Sequence, residues 1–351
     1  MGQEDLRNLS FEELSAYLVS VNEKPFRVKQ IFEWLYKRQA QSFAEMKNLP
    51  PALRQRLAAD FGLFSPSVLH RDVSRDQTTK FLFTLADKEK IESVLIPTAS
   101  RRSVCLSTQA GCKFGCRFCA SGIGGWKRNL SCAEILDQIL YIQRNCRGTP
   151  LSHVVFMGTG EPLDNYDNLI KAIRIINSVQ GLNIAARRIT ISTCGVIPQI
   201  EQLAQEGLQI ELAVSLHGFN NESRNLLMPV NRKYPLQDLI EACEVYSRKT
   251  NRQITFEYIL IKGMTCSDRA AKELGQLLKG MLCKMNLIPY NKVAEFAYEP
   301  PSRQEILVFK KQLEGYGIHA TVRVSRGGDV SAACGQLRHV TSDTMPKAYP
   351  R

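Results

Sequence analysis

From about residue 100 onward the sequence alternates short apolar runs with amphipathic segments of helix length, and this alternation narrows the possible folds more than any other feature. Strand-like runs lie at 104–108, 153–157, 188–193, 210–217, 254–261, 284–289 and 319–324, and the segments 131–146, 166–177, 235–249, 268–280 and 302–314 between them carry apolar residues at helical spacing. Repeated βα units place their strands in parallel under a layer of helices, and their number predicts an α/β fold built as a barrel or an incomplete barrel. In such folds ligands and reactive groups gather where the C-terminal ends of the strands open.

The first hundred residues read differently. Ser10 and Glu13 form a capping box ahead of a short helix, and Pro25 suits the first turn of a second one bearing Phe26, Ile31, Trp34 and Leu35. Arg27, Lys29, Lys37 and Arg38 fall between those apolar positions. A further helix starts at Pro50 and Pro51, and strand-like runs follow near 78–85 and 91–96. The expected organisation is a helical module with a β extension over 1–97, the barrel over 98–340 and a tail over 341–351.

The chemistry of the chain centres on Cys112, Cys116 and Cys119, in the run Gly-Cys-Lys-Phe-Gly-Cys-Arg-Phe-Cys-Ala that follows the first barrel strand. Three thiolates at this spacing can bind three irons of a cubane [4Fe–4S] cluster and leave the fourth iron open for a ligand. A structural zinc site needs four ligands, and no second pair with zinc-like spacing follows. Packing of three free cysteines as small hydrophobes is the blander alternative, but the polar, turn-prone flank of Gly111, Lys113, Gly115 and Arg117 argues against it. Phe114 and Phe118 are placed to cover a cluster face. Of the 11 cysteines, Cys132, Cys146, Cys243, Cys266 and Cys283 sit in helix-like or strand-like stretches and read as packing residues.

Scattered cysteines without an export signal predict reduced thiols and a cytoplasmic protein, and no apolar run is long enough to span a bilayer. The formal net charge of +12 favours a polyanionic partner such as nucleic acid, because Lys and Arg contacts release the counterions of phosphates.

Further polar groups fall at the same strand ends. Gly158-Thr159-Gly160-Glu161 closes the second barrel strand; a Gly-x-Gly turn is weak by itself, but glycine admits a close ligand and Glu161 can accept hydrogen bonds from an ammonium group. Ser192, then Ser215-Leu216-His217, then Asn291 complete a cradle suited to a polar nucleoside and amino acid. Cys334, between alanines and glycine, follows the last strand, and Cys105 lies on the first, seven residues before Cys112. Their spacing in sequence leaves open whether the two thiols meet.

The triplet in its loop resembles the signature of radical S-adenosylmethionine (SAM) enzymes. Cys105, the triplet, Gly-Glu-Pro at 160–162, Ser-Leu-His at 215–217, Asn-Leu-Ile-Pro-Tyr-Asn at 286–291 and Ala-Ala-Cys-Gly-Gln-Leu at 332–337 together resemble the RlmN/Cfr family of RNA adenine methyltransferases over nearly the whole chain. The resemblance implies an incomplete (β/α)6-type radical SAM barrel, with a [4Fe–4S] cluster on Cys112, Cys116 and Cys119, and SAM held by Gly160, Glu161, Ser192, Ser215, Leu216, His217 and Asn291. It implies that Cys334 carries a methyl group, that Cys105 resolves the product through a transient disulfide with Cys334, and that Glu92 accepts a proton. The implied substrates are one adenosine of 23S rRNA and the adenosine 3′ to the anticodon of tRNAs, methylated at carbon 2 with two SAM per turnover. A reducing electron donor such as flavodoxin and a monomeric state are implied as well. Pro162 matches the carbon-2 branch, while Ala120, Thr159 and Cys194 depart from the common pattern at positions that ligate nothing. The alternatives are carbon-8 methylation, a radical SAM enzyme of small molecules, and a non-catalytic, metal-stabilised RNA-binding protein.

Overall fold

The computed structural model describes residues 3–146 and 148–338; the tail expected at 341–351 lies outside them. The chain begins with strand β1 (Glu4–Asp5), which pairs in parallel with β2 (Phe61–Gly62) and closes a module of three helices, α1 (Phe11–Ser20), α2 (Arg27–Phe32) and α3 (Pro51–Asp60). The capping box forms: Ser10 Oγ accepts from the Glu13 amide at 3.1 Å, and Glu13 accepts from the Ser10 amide at 2.6 Å. The second helix starts at Arg27 rather than at Pro25, and after Phe32 it loosens into a wider π turn over Glu33–Lys37.

A buried ion cluster joins this module to the rest. The Arg7 guanidinium, 3% exposed, pairs with Asp5 at 2.7 Å and with Asp137 of α4 (Cys132–Asn145), and it also donates to the Phe64 carbonyl. Removing one member of a buried ion set strands its partner without solvation. Arg7→Leu is therefore expected to cost about 3–5 kcal/mol, read as a lowered midpoint in chemical denaturation.

One ten-stranded sheet carries everything else. It begins with an antiparallel meander of β3 (Ser67–Val73), β4 (Thr79–Thr84) and β5 (Lys90–Pro97), and β5 pairs with β6 (Arg102–Cys105), so the extension and the barrel share one ladder. A short antiparallel ribbon, β7 (Gln109–Gly111) with β8 (Trp126–Asn129), follows outside the sheet. Then come β9 (His153–Phe156), β10 (Ile189–Thr193), β11 (Glu211–Ser215), β12 (Ile254–Leu260), β13 (Cys283–Pro289) and β14 (Ala320–Val322), all in parallel, in the order β14-β13-β12-β11-β10-β9-β6-β5-β4-β3. Alternating helices α4, α5 (Tyr166–Asn177), α6 (Ile197–Leu203), α7 (Asn221–Leu227), α8 (Leu236–Thr250), α9 (Asp268–Leu277) and α10 (Arg303–Gly315) complete the repeat.

The core forms as the helices bury apolar stripes against the sheet. In α5, Leu169, Ile170, Ala172, Ile173, Ile175 and Ile176 are buried, and β12 is buried along its full length. Full burial of a Leu or Ile side chain stabilises by about 1.5–3 kcal/mol. This is the incomplete α/β barrel expected from the sequence. Differences lie in short elements: β3, with its largely exposed Ser-Val-Leu-His-Arg-Asp-Val run, lacks the alternation that marks a half-buried strand, and α6 and α7 are too short for a periodic signal. Several strand runs also stop early. Leu106–Thr108 and Leu216–His217 fall beyond the strand ends, although the Leu106 amide still donates to the Val155 carbonyl at 2.9 Å and the Leu216 amide to the Glu257 carbonyl at 3.0 Å. Among the described residues no helix is long and apolar enough to cross a membrane.

Candidate active site

The three loop cysteines hang between β7 and β8, whose pairing closes the loop at its base. Its far side is fixed by backbone bonds: the Arg117 amide donates to the Leu227 carbonyl of α7 at 2.9 Å, and the Ala120 amide to the Gly335 carbonyl at 2.7 Å. Phe118 is buried edge-on against His217, with ring centroids 4.8 Å apart. Cys112, Cys116 and Cys119 all line one cleft, together with Gly160, Glu161, Ser192, Ser215, His217 and Cys334. Residues from five separate segments of the sequence thus face one space.

Burial pushes the Cys112 thiol up to about 12, and burial with repulsion from Cys119 and Cys112 holds the Cys116 thiol well above its ordinary value. Thiols in this state become thiolates by exchanging their protons for a cationic centre, which is the chemistry of an iron–sulfur cluster. Among the described residues no three His, Cys, Asp or Glu side chains converge closely enough to share one metal ion. Corner ligands of a cubane do not converge, since each binds a different iron.

The Gly158-Thr159-Gly160-Glu161 turn is held by the protein itself. A Cβ on Gly158 would meet the Leu106 backbone at 2.6 Å, and one on Gly160, where φ is +106°, would meet Gln109 at 2.6 Å. The glycines therefore admit the crossing β6–β7 segment as well as facing the cleft. Glu161 is buried, and each carboxylate oxygen already accepts one backbone amide, from Leu163 at 3.1 Å and from Cys194 at 2.7 Å. Glu161 also lines the cleft. His217, in the left-handed region at φ +49°, accepts at Nδ1 from the Ile259 amide at 3.0 Å, and burial with the nearby Arg224 charge pushes its pKa down to about 3. The ring is neutral, with its remaining proton on Nε2.

Four predicted site residues lie behind the lining rather than in it. Leu216 is wholly buried; its amide donates to the Glu257 carbonyl at 3.0 Å. Asn291 donates to the Cys334 carbonyl at 3.0 Å, fixing the loop that carries that thiol. Cys105 is 6% exposed and packs with Val94, Ala332 and Leu337, which brings it beside the Cys334 segment; burial, aided by Cys334, pushes its thiol up to about 12. Glu92 is buried between Lys80 at 3.2 Å and the Arg338 amide at 2.7 Å, and burial raises its pKa. It anchors the C-terminal segment just after Cys334. All 11 cysteines are free.

Two cleft residues went unread in the sequence. Glu257, in the middle of β12, accepts from Asn286 at 3.0 Å with one carboxylate oxygen while the other is buried without a partner. A carboxylate inside an otherwise apolar strand was the signal available. Arg323, just past β14, faces Cys334, Glu257 and Cys105 electrostatically. Nothing in its local sequence marks it.

A parallel α/β barrel with three loop thiols at its mouth, opposite a polar cradle, defines the class of radical SAM enzymes. The radical SAM superfamily model matches residues 106–273, and the ribosomal RNA large subunit methyltransferase N-terminal domain matches residues 4–62. Proteins described as probable dual-specificity RNA methyltransferase RlmN are similar over nearly the whole chain: one from Geobacillus kaustophilus is 47% identical, covering 94% of this chain and 91% of its own, and one from Lachnoclostridium phytofermentans is 47% identical, covering 97% and 95%. The crystal structure of a radical SAM methyltransferase from Sphaerobacter thermophilus superposes with a TM-score of 0.91 at 43% identity, covering 96% of this chain and all of that one. The chain belongs to the RlmN family of radical SAM RNA methyltransferases, and its cofactors are a [4Fe–4S] cluster and SAM.

Proposed function

We propose that this enzyme methylates carbon 2 of adenosine in RNA, at one adenosine of 23S rRNA and at the adenosine 3′ to the anticodon of tRNAs, through a methyl group carried on Cys334. The observation that carries the reading is the presence of Cys334 in the wall of the cleft that the cluster cysteines line. Carbon 2 of adenine has no nucleophilic lone pair, so polar methyl transfer fails there and a tethered carbon radical is required. The +12 charge suits a polyanionic substrate, and the relatives' description as dual-specificity RNA methyltransferases supports RNA.

When bound, the cluster and SAM supply a methyl group and a hydrogen-abstracting radical. Cys112, Cys116 and Cys119 would hold the cluster, and Gly160, Glu161, Ser192, Ser215 and His217 would form the SAM cradle, with Leu216 and Asn291 supporting it from behind. The Cys334 sulfur takes the methyl group and presents it to adenine. Glu92 accepts the proton lost from carbon 2, its affinity for a proton raised by burial, while the odd electron of the adduct leaves to a one-electron acceptor, a role the oxidised cluster would fill. The Cys105 sulfur then attacks the Cys334 sulfur, forming an S–S bond as the bond from Cys334 sulfur to the transferred carbon breaks. The electron pair stays with that carbon, which a proton completes as a methyl group. An external thiol reductant reopens the disulfide. A one-electron donor of the flavodoxin type, a monomeric state and a cytoplasmic site complete the reading.

Mass analysis of nucleosides from 23S rRNA and tRNA of cells lacking and carrying the enzyme tests this. 2-Methyladenosine is expected in both RNAs only when the enzyme is present. 8-Methyladenosine in its place would move the enzyme to the carbon-8 branch, against Pro162, and no change in either RNA would defeat the proposal.

A further inference from the structure

Arg224 of α7 is the largest fully buried side chain, at 0% exposure, and the fold makes room for it: a Cβ on Gly218 would stand 2.6 Å from the Arg224 Cβ. Its guanidinium donates to the carbonyls of Leu216 at 3.0 Å, Cys194 at 2.7 Å and Ser215 at 3.3 Å, and to the Asn231 carboxamide at 2.9 Å. All four acceptors are neutral. No carboxylate pairs with it among the described residues, in contrast to Arg7, which has two. The groups whose negative form favours its charge are the sulfurs of Cys194, Cys116 and Cys243. Of these, Cys116 belongs to the cysteine loop, and that loop is tied to the helix bearing Arg224 by the bond from the Arg117 amide to the Leu227 carbonyl.

A buried cation without an anion is costly, and carbonyl dipoles offset only part of that cost. The missing anion is the cluster with its three thiolates, which becomes more negative by one charge when it takes up one electron. At low local dielectric such a fixed charge acts over several ångströms. We infer that Arg224 is a counter-charge built into the protein for the iron–sulfur cluster, raising the cluster's reduction potential and strengthening its retention. Potentials of protein-bound clusters respond to net charge and burial in this way. By bonding the three carbonyls, the same side chain also joins the ends of β10 and β11 behind the SAM cradle. The inference rests on Cys112, Cys116 and Cys119 carrying the cluster.

The test is an electron paramagnetic resonance titration with dithionite and mediator dyes. It uses anaerobically reconstituted full-length enzyme, without SAM or RNA, for the wild type, Arg224→Lys, Arg224→Met and Asn231→Ala. Arg224→Met is expected to lower the ratio of reduced to oxidised cluster at least tenfold at a given potential, a shift of about 59 mV for one electron. Arg224→Lys keeps the charge and Asn231→Ala removes only one hydrogen bond, so both stay near the wild type. An unshifted Arg224→Met, or an equal shift in Asn231→Ala, overturns the inference. A second reading guards against misfolding: cluster loading is expected to raise the melting temperature less in Arg224→Met than in the wild type, and an equal rise counts against the counter-charge. A wild type that binds no iron and sulfide would instead overturn the cluster site itself.

Discussion

Cys334→Ala is expected to lose at least about 10³-fold in RNA methylation, about 4 kcal/mol of transition-state stabilisation, while retaining its full iron and sulfide content. The loss is large because no other thiol takes the place of Cys334: Cys105 is buried behind the cleft lining, and Cys194, the other cleft thiol outside the cysteine loop, is itself buried with its amide bonded to Glu161. Retention follows from how the segment is held. Asn291 grips the Cys334 carbonyl, Ala120 donates to the Gly335 carbonyl, and Ser121 donates to the Leu337 carbonyl at 2.8 Å, so removing Sγ leaves the scaffold in place. Methyl incorporation from labelled SAM, with iron analysis alongside, measures both halves. Methylation near the wild-type rate would sink the covalent route.

Cys105→Ala is expected to stall after carbon–carbon bond formation, leaving protein covalently joined to RNA. The adduct would appear as a ribonuclease-sensitive band shift under denaturing conditions, absent from the Cys105→Ala/Cys334→Ala pair. Alanine fits the site, because Cys105 behaves there as a small apolar residue among Val94, Ala332 and Leu337. The pH dependence follows from burial. With the thiol pushed up to about 12, the reactive thiolate is a minor form at neutral pH and grows about tenfold per pH unit below that value. In the wild type, release of the adduct is therefore expected to quicken as pH rises, until another step limits it. Clean turnover by Cys105→Ala, or an adduct that forms equally without Cys334, would remove the thiol pair from the reaction.

Much of the site was legible because its chemistry is local. The spacing of Cys112, Cys116 and Cys119 suits an open cluster whatever surrounds it, and the residues at 160–161, 192 and 215–217 end apolar runs, where α/β folds place their ligands. The capping box of Ser10 and Glu13 was readable for the same reason, since both partners lie within one turn. Less legible were elements whose pattern is weak or whose role depends on a distant partner. β3 is too exposed to alternate, and the strand-like Leu106–Thr108 lies beyond the end of β6, its Leu106 backbone packed closely against Gly158. Asn291 reads as a ligand for SAM, yet its amide is spent on the Cys334 backbone, 43 residues away.

By itself the sequence determined the order of the βα units, the position of the cysteine loop at their mouth and the singularity of Cys334, because periodicity and short spacing are written in neighbouring residues. Only the tertiary structure decided the company those groups keep. Cys105 comes beside the Cys334 segment, Glu257 is left with an unpartnered oxygen, and Arg224 is buried without a carboxylate behind the cluster loop. Burial and through-space charge arise from segments far apart in the chain, so no local pattern records them.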